Sequence, residues 1–117
     1  MNHALELKVL PVQGRTDAKV LRMEGEFDAS SVESVLEEVT SLFDGGVKHL
    51  IADLEQLHYV NSTGLGVILH FSRTARERGG SFRLCRISQS VYEIIEIIGA
   101  TALLEIHDSL EDALAAI

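Results

Sequence analysis

The apolar residues of this chain change their spacing along its length, and that change restricts the fold more than any other feature. Leu5, Leu7, Val9 and Val12 alternate with polar residues, and Val20, Arg22 and Glu24 then alternate against Leu21 and Met23. A period of two marks strands. Pro11 marks the end of the first strand or a bulge in it. Gln13 to Asp17 is turn-like and Gly25 ends the second strand, so the two form a hairpin.

After the hairpin the spacing becomes three and four: Val32, Val35, Leu36, Val39, Leu42 and Phe43 form one face of an amphipathic helix. Asp28, Ser30 or Ser31 can cap it, Ser30 and Glu33 have the capping-box spacing, and Gly45-Gly46 stops it. The continuous run Leu50-Ile51-Ala52 reads as a short strand buried on both faces, ending near Asp53 or Leu54. Thr63 to Arg78 reads as a second helix with Leu65, Ile68, Leu69, Ser72 and Ala75 inward, stopped by Gly79-Gly80. SFRLCRI is a strand with Phe82, Leu84 and Arg86 on one side. SQSVYEIIEIIGA is a helix capped by Ser88 or Ser90. ALLEIH is a last strand, and DSLEDALAAI a last helix capped by Asp108 or Ser109.

The order is therefore β-β-α-β-α-β-α-β-α. Every strand after the hairpin is reached through a helix, which requires a mostly parallel sheet. The expected class is α/β: a small mixed, mostly parallel sheet with an N-terminal hairpin and four helices. A length of 117 residues suits a single domain, 1–117.

Composition narrows the function. The formal net charge of −8 argues against broad binding to nucleic-acid backbones or anionic lipid. Aromatic residues make up only 5% and Trp is absent, so stacking platforms for single strands are not expected. The longest apolar run is far below the roughly 20 residues of a membrane span. The N-terminus lacks a basic segment followed by a long apolar run. Cys85 stands alone, which gives neither an internal disulfide nor a metal cluster; it reads as a small buried hydrophobe. A cytoplasmic location without direct nucleic-acid contact or membrane insertion is the expectation.

The segment YVNSTGLGVIL, Tyr59 to Leu69, holds the main candidate site. Asn61-Ser62-Thr63 matches a glycan-acceptor pattern, but nothing supplies the secretory route it needs. Gly64 and Gly66 open a helix after a strand, yet Leu69 stands where a dinucleotide fingerprint needs a third small residue. No Lys-Ser/Thr pair of a phosphate loop follows. Ser62 has no Gly-x-Ser-x-Gly elbow, and His3, His49, His58, His70 and His107 are scattered without metal-site spacing. No catalytic residue, metal or cofactor is expected, and the chain reads as a non-enzyme. Asn61, Ser62 or Thr63 can cap the helix, and Gly64 and Gly66 permit close backbone approach. A cap needs one polar residue, whereas this junction has three, at the strand-to-helix edge where open α/β sheets place function. A phosphate here would add about −1.5 to −2 charges, among the free N–H groups of the first turn.

Three further features are candidates in this reading. Asp28 either caps the first helix or shares a sheet edge with Ser62. Asp53 could order the Ser62 loop by accepting backbone hydrogen bonds. Arg73, Arg76, Arg78, Arg83 and Arg86 form a local basic excess, a solvated face or a contact for lipid or protein.

These segments together resemble the STAS domain family, in its bacterial anti-sigma factor antagonist form. MEGEFD, Met23 to Asp28, is similar to the family's Gly-Glu-Leu-Asp before its first helix. LIADLEQLHYVNSTGLGVIL is similar to its Asp-Leu strand end and Asp-Ser-Ser/Thr-Gly-Leu-Gly loop. IIEIIGATALLEIHDSLEDAL resembles its closing strand and helix. The resemblance covers nearly the whole chain and implies a phosphorylation-controlled regulator. The family's phosphorylated serine falls on Ser62, and Thr63 falls on its second hydroxyl, usually not the acceptor. Gly64, Leu65 and Gly66 fall on the helix start that the partner contacts, with Asp28 nearby and Asn61 beside the acceptor. The implied partners are an anti-sigma factor that is also a serine kinase, and a phosphatase. Unphosphorylated, such proteins bind the kinase and release a sigma factor. The alternative is a STAS module of a lipid-transport complex or stress-sensing scaffold. Asn61 departs from the family's usual Asp and removes a charge beside the acceptor. Gly99-Ala100-Thr101 departs from the closing pattern and reads as packing variation.

Overall fold

The computed structural model describes residues 4–117, so His3 lies outside the described residues. Its strands are β1 Glu6–Val12, β2 Arg15–Phe27, β3 His49–Asp53, β4 Leu57–Val60, β5 Ser81–Cys85 and β6 Glu105–His107. Its α-helices are α1 Val32–Asp44, α2 Ser62–Glu77, α3 Gln89–Ile98 and α4 Leu110–Ala115. The strand order is β1-β2-β3-β5-β6, with β4 paired to the far end of β2. Only β1 and β2 are antiparallel; the remaining pairs are parallel. The expected mixed sheet, N-terminal hairpin and four helices are present.

Each crossover from β2 through β3 and β5 to β6 moves the same way across the sheet. Same-handed connections then stack their helices on one face. Val35, Val39 and Phe43 of α1, Leu65, Ile68 and Phe71 of α2, and Val91 and Ile95 of α3 all enter one core with Leu21, Met23 and Phe27. Phe71 is its aromatic hinge, with ring centroids 6.5 Å from Phe43 and 6.0 Å from Phe82. The other face is held by α4: Ala113 with Leu110 and Leu114 covers Val20, Ile51 and Cys85. This explains why Leu50-Ile51-Ala52 is apolar without alternation, and why Val20 is buried although it faces away from Leu21.

Several details differ from the sequence expectations. The last strand holds only Glu105–His107, because the 3₁₀ turn Thr101–Leu103 takes up the start of the expected ALLEIH strand. The hairpin turn is only Gln13-Gly14, because β2 already begins at Arg15, whose guanidinium pairs with Asp17 at 2.9 Å. Gly25 does not end β2; the strand bulges there and runs on to Phe27. β4 had no counterpart in the sequence reading. Its burial runs buried, exposed, exposed, buried, because the register slips at Gly25/Glu26, so no period of two exists to be seen. A 3₁₀ turn, Ala29–Ser31, precedes α1; Asp28 caps that turn, and the Ser30–Glu33 capping box does not form because the Ser30 hydroxyl donates to Asp28. The later caps are Ser88 and Ser109, accepting from Val91 and Asp112 N–H.

The turn between α2 and β5 is pressed against the residue that precedes β3. A Cβ on Gly80 would lie 1.7 Å from the Lys48 carbonyl oxygen, a backbone atom that no rotamer change can move. Gly80→Ala is expected to cost more than about 3 kcal/mol, beyond ordinary overpacking, as measured by chemical denaturation.

Candidate functional site

Phe27 and Val60 are paired at the ends of the parallel strands β2 and β4. The next residues of each strand, Asp28 and Asn61, therefore emerge side by side at the carboxyl edge of the sheet. Asn61 N–H donates to the Phe27 carbonyl at 3.1 Å, tying the two exits together. Asn61 is extended and is the N-cap of α2: its Oδ1 accepts from Gly64 N–H at 2.9 Å, and its carbonyl accepts from Leu65 N–H. Of the three polar residues offered by the sequence, Asn61 takes the capping role. Asn and Asp cap equally well, so Asn61 makes the cap that an aspartate would, without a charge and with an amide donor in its place.

With the cap filled by Asn61, Ser62 and Thr63 occupy the first two helical positions and are both exposed. First-turn N–H groups lack intrahelical acceptors. Asn61 satisfies that of Gly64, which leaves those of Ser62 and Thr63 for solvent or an anion. The macrodipole favours negative charge at the same place. The site is thus an accessible hydroxyl at a helix N-terminus.

The remaining family-matched positions separate. Gly64 is buried against the end of β2: a Cβ there would meet the Phe27 carbonyl oxygen at 2.8 Å and its ring at 3.1 Å. Gly66 has nothing within 4 Å of the same construction, so the close approach expected for both glycines belongs to Gly64 alone. Leu65 is a core residue with 1% exposure, and its side chain does not reach the surface. Asp28 accepts from the Ser30 N–H at 2.9 Å and from the Ser30 hydroxyl at 2.5 Å. The Ser30 hydroxyl first, and its N–H second, hold Asp28 below the ordinary carboxylate pKa.

Asp53 accepts one backbone hydrogen bond in the segment that leads to Ser62, and its other partners are arginines. It is fully buried at the end of β3. Arg86 forms two parallel bonds to it, Nε to Oδ1 at 3.1 Å and Nη2 to Oδ2 at 2.5 Å, and Arg22 Nε approaches at 3.6 Å. The backbone group it accepts from is Glu55 N–H in its own turn, at 3.2 Å. Burial pushes Asp53 up, but the Arg86 hydrogen bonds, the Glu55 N–H and the two guanidinium charges outweigh it and leave it below its ordinary value. This network was missed in the sequence because Arg86 reads there as the next strand residue. It stands instead at φ 56°, just after β5 ends.

The basic excess on the later arginines is also largely neutralised. Arg78 pairs with Asp44 at 2.8 Å, Arg83 with Glu105 at 2.9 Å, and Arg86 with Asp53 and Glu55. Only Arg73 and Arg76 of the five are free of ion pairs among the described residues. Cys85 is buried, as expected, and burial pushes its thiol up to about 11. His58 lies on β4 and His70 on α2, both exposed, while His49 pairs with the Ser81 hydroxyl at 2.8 Å. Among the described residues no group of three His, Cys, Asp or Glu side chains could hold a metal ion, and no helix is long and apolar enough to cross a membrane.

A family model described as "STAS domain" matches residues 9–113. The anti-sigma-B factor antagonist of Listeria monocytogenes is 32% identical over 110 residues, covering 92% of this chain and 91% of that protein. Two solved structures share the fold. The anti-sigma factor antagonist SpoIIAA in its unphosphorylated form has a TM-score of 0.75 at 24% identity, covering 97% of this chain and 98% of its own. The Bacillus cell fate determinant SpoIIAA in the phosphorylated form has a TM-score of 0.69 at 23% identity, with the same coverage.

Two expectations follow from the geometry. Gly64→Ala should cost about 2–3 kcal/mol and displace the amide signals of residues 61–63, whereas Gly66→Ala should stabilise by roughly 0.5–1 kcal/mol; denaturation curves and amide spectra distinguish them. Asp53 has a folded pKa below its ordinary 3.8, so its contribution is fully present above that value and is lost as pH falls through the lower folded value. Acid titration of stability should show this loss in the wild type and not in Asp53→Asn.

Proposed function

The chain belongs to the STAS domain family, in its anti-sigma factor antagonist branch, and on that premise we propose that it is a partner-switching regulator controlled by phosphorylation at Ser62. It acts by binding rather than catalysis. Unphosphorylated, it binds an anti-sigma factor that is also a serine kinase, and a sigma factor is released. Phosphorylated, it lets the kinase go, and a phosphatase resets it.

The observation that carries this reading is the division of labour at the start of α2. Asn61 caps the helix, so the exposed Ser62 can be modified without removing the cap. A phosphate there gains the free first-turn N–H groups and the helix dipole. The fold tolerates it, while a partner packed over the same helix end meets about two new negative charges. Asp28 and Asn61, which emerge beside each other, belong to that contact surface with Ser62, Thr63 and the exposed backbone of Gly66. Gly64 and Leu65 support it from below. Thr63 is the second hydroxyl, and Ser62 the acceptor.

Purified protein, ATP and the candidate anti-sigma factor serine kinases of its own organism supply the test, with the modified residue mapped by mass spectrometry. One phosphate on Ser62, absent from Ser62→Ala, is the expected result. Modification elsewhere, or none with any of these kinases, would remove the basis of the reading.

A further inference from the structure

Backbone pairing with β2 ties the Ser62 junction to the sheet, and the side-chain anchoring of the turn before β4 converges on one arginine. After β3 the chain turns over Leu54–Gln56, forms β4, and reaches Asn61. That turn is held by backbone bonds, Leu54 N–H to the Cys85 carbonyl and Gly25 N–H to the Gln56 carbonyl. Its side-chain anchors are Asp53 and Glu55, and both go to Arg86: two bonds to Asp53, and Nη1 to Glu55 Oε2 at 3.3 Å.

Arg86 is also the one non-glycine with positive φ among the described residues, at 56°. The left-handed region is sterically unfavourable for an arginine, and such residues persist where their surroundings fix them. The reversal at Arg86 redirects the chain from β5 into α3. Two residues later Ser88 caps α3, and its hydroxyl reaches the Leu57 carbonyl of β4 at 3.5 Å. One residue therefore serves both sides of β4. Its backbone brings α3 against the strand, and its guanidinium holds the turn that feeds it.

We propose that Arg86 is a positioning residue for the phosphate-acceptor junction: by clamping Asp53 and Glu55 it fixes β4, and through β4 the presentation of Asn61 and Ser62. This rests on the reading of Ser62 as acceptor. Arg86 touches neither the acceptor nor the partner in this role. Arg22 remains to satisfy Asp53 when Arg86 is altered, at 3.6 Å, so the fold keeps a counter-charge for the buried carboxylate. Among the described residues Glu55 has no second ion-pair partner.

The test compares wild type, Arg86→Lys and Arg86→Ala by amide hydrogen exchange with mass spectrometry. Lys keeps a charge for Asp53 but cannot make the two parallel bonds. Exchange over residues 54–63 should rise about 10- to 100-fold in both variants, the range implied by losing charge-assisted hydrogen bonds, while α1 and the β1–β2 hairpin keep wild-type protection. With the kinase that modifies Ser62, kcat/KM for the variants should fall at least about fivefold, and Arg86→Lys should retain more activity than Arg86→Ala. Unchanged exchange over residues 57–63 overturns the proposal. So does a uniform loss of protection throughout the chain, or failure of Arg86→Lys to fold, since Arg86 would then be a general stabiliser. If wild type itself takes no phosphate on Ser62, the functional reading fails, while the exchange comparison still decides whether Arg86 positions the junction.

Discussion

A carboxylate with no exposure at the end of the central strand organises everything around the candidate site. Asp53 is met by Arg22 from β2, by Arg86 from the β5–α3 connection and by Glu55 N–H from its own turn. Left without partners, a buried charge would cost several kcal/mol. The three segments that supply its partners must therefore keep their relative positions. A buried ion pair adds little net stability over a well-packed apolar substitute. Here it fixes geometry: the turn after β3, the placement of β4 beside β2, and the exit of the chain at Asn61.

The switch proposed for this molecule depends on keeping folding and signalling on different atoms. Asn61 satisfies the helix N-terminus and links to Phe27, Gly64 seats the helix on β2, and Leu65 anchors it in the core. Ser62 has no part in these contacts and is exposed. A charge added to it alters the surface without breaking a contact of the core. The neutral Asn61 strengthens this separation, because it caps as an aspartate would while putting no permanent negative charge beside the acceptor.

The sequence makes most of the architecture legible because periodicity reports burial directly. The hairpin and the first helix follow from the switch between periods of two and of about 3.6, and β3 from a continuous apolar run that is buried on both faces. β4 stayed hidden because a register slip in its partner erases the alternation. Asp28 and Ser62 could be assigned to one edge from their places after strands, and the Phe27–Val60 pairing accounts for that nearness. The roles of Gly64 and Gly66 could not be told apart, since identical residues two positions apart differ only in what lies against them. The Asp53–Arg86 clamp was illegible for a related reason. It joins residues 33 positions apart, and it requires a left-handed arginine that no local pattern announces.

The most direct measurement of the central claim is the affinity of a purified anti-sigma factor kinase partner for the two forms of this protein, unmodified and phosphorylated on Ser62, by titration calorimetry. The account predicts that phosphorylation weakens binding by at least about tenfold, the effect of placing like charge or unpaired desolvated charge in a contact, with the thermal unfolding of the free protein little changed. Equal affinity for the two forms, or a phosphorylated form that no longer folds, would contradict it.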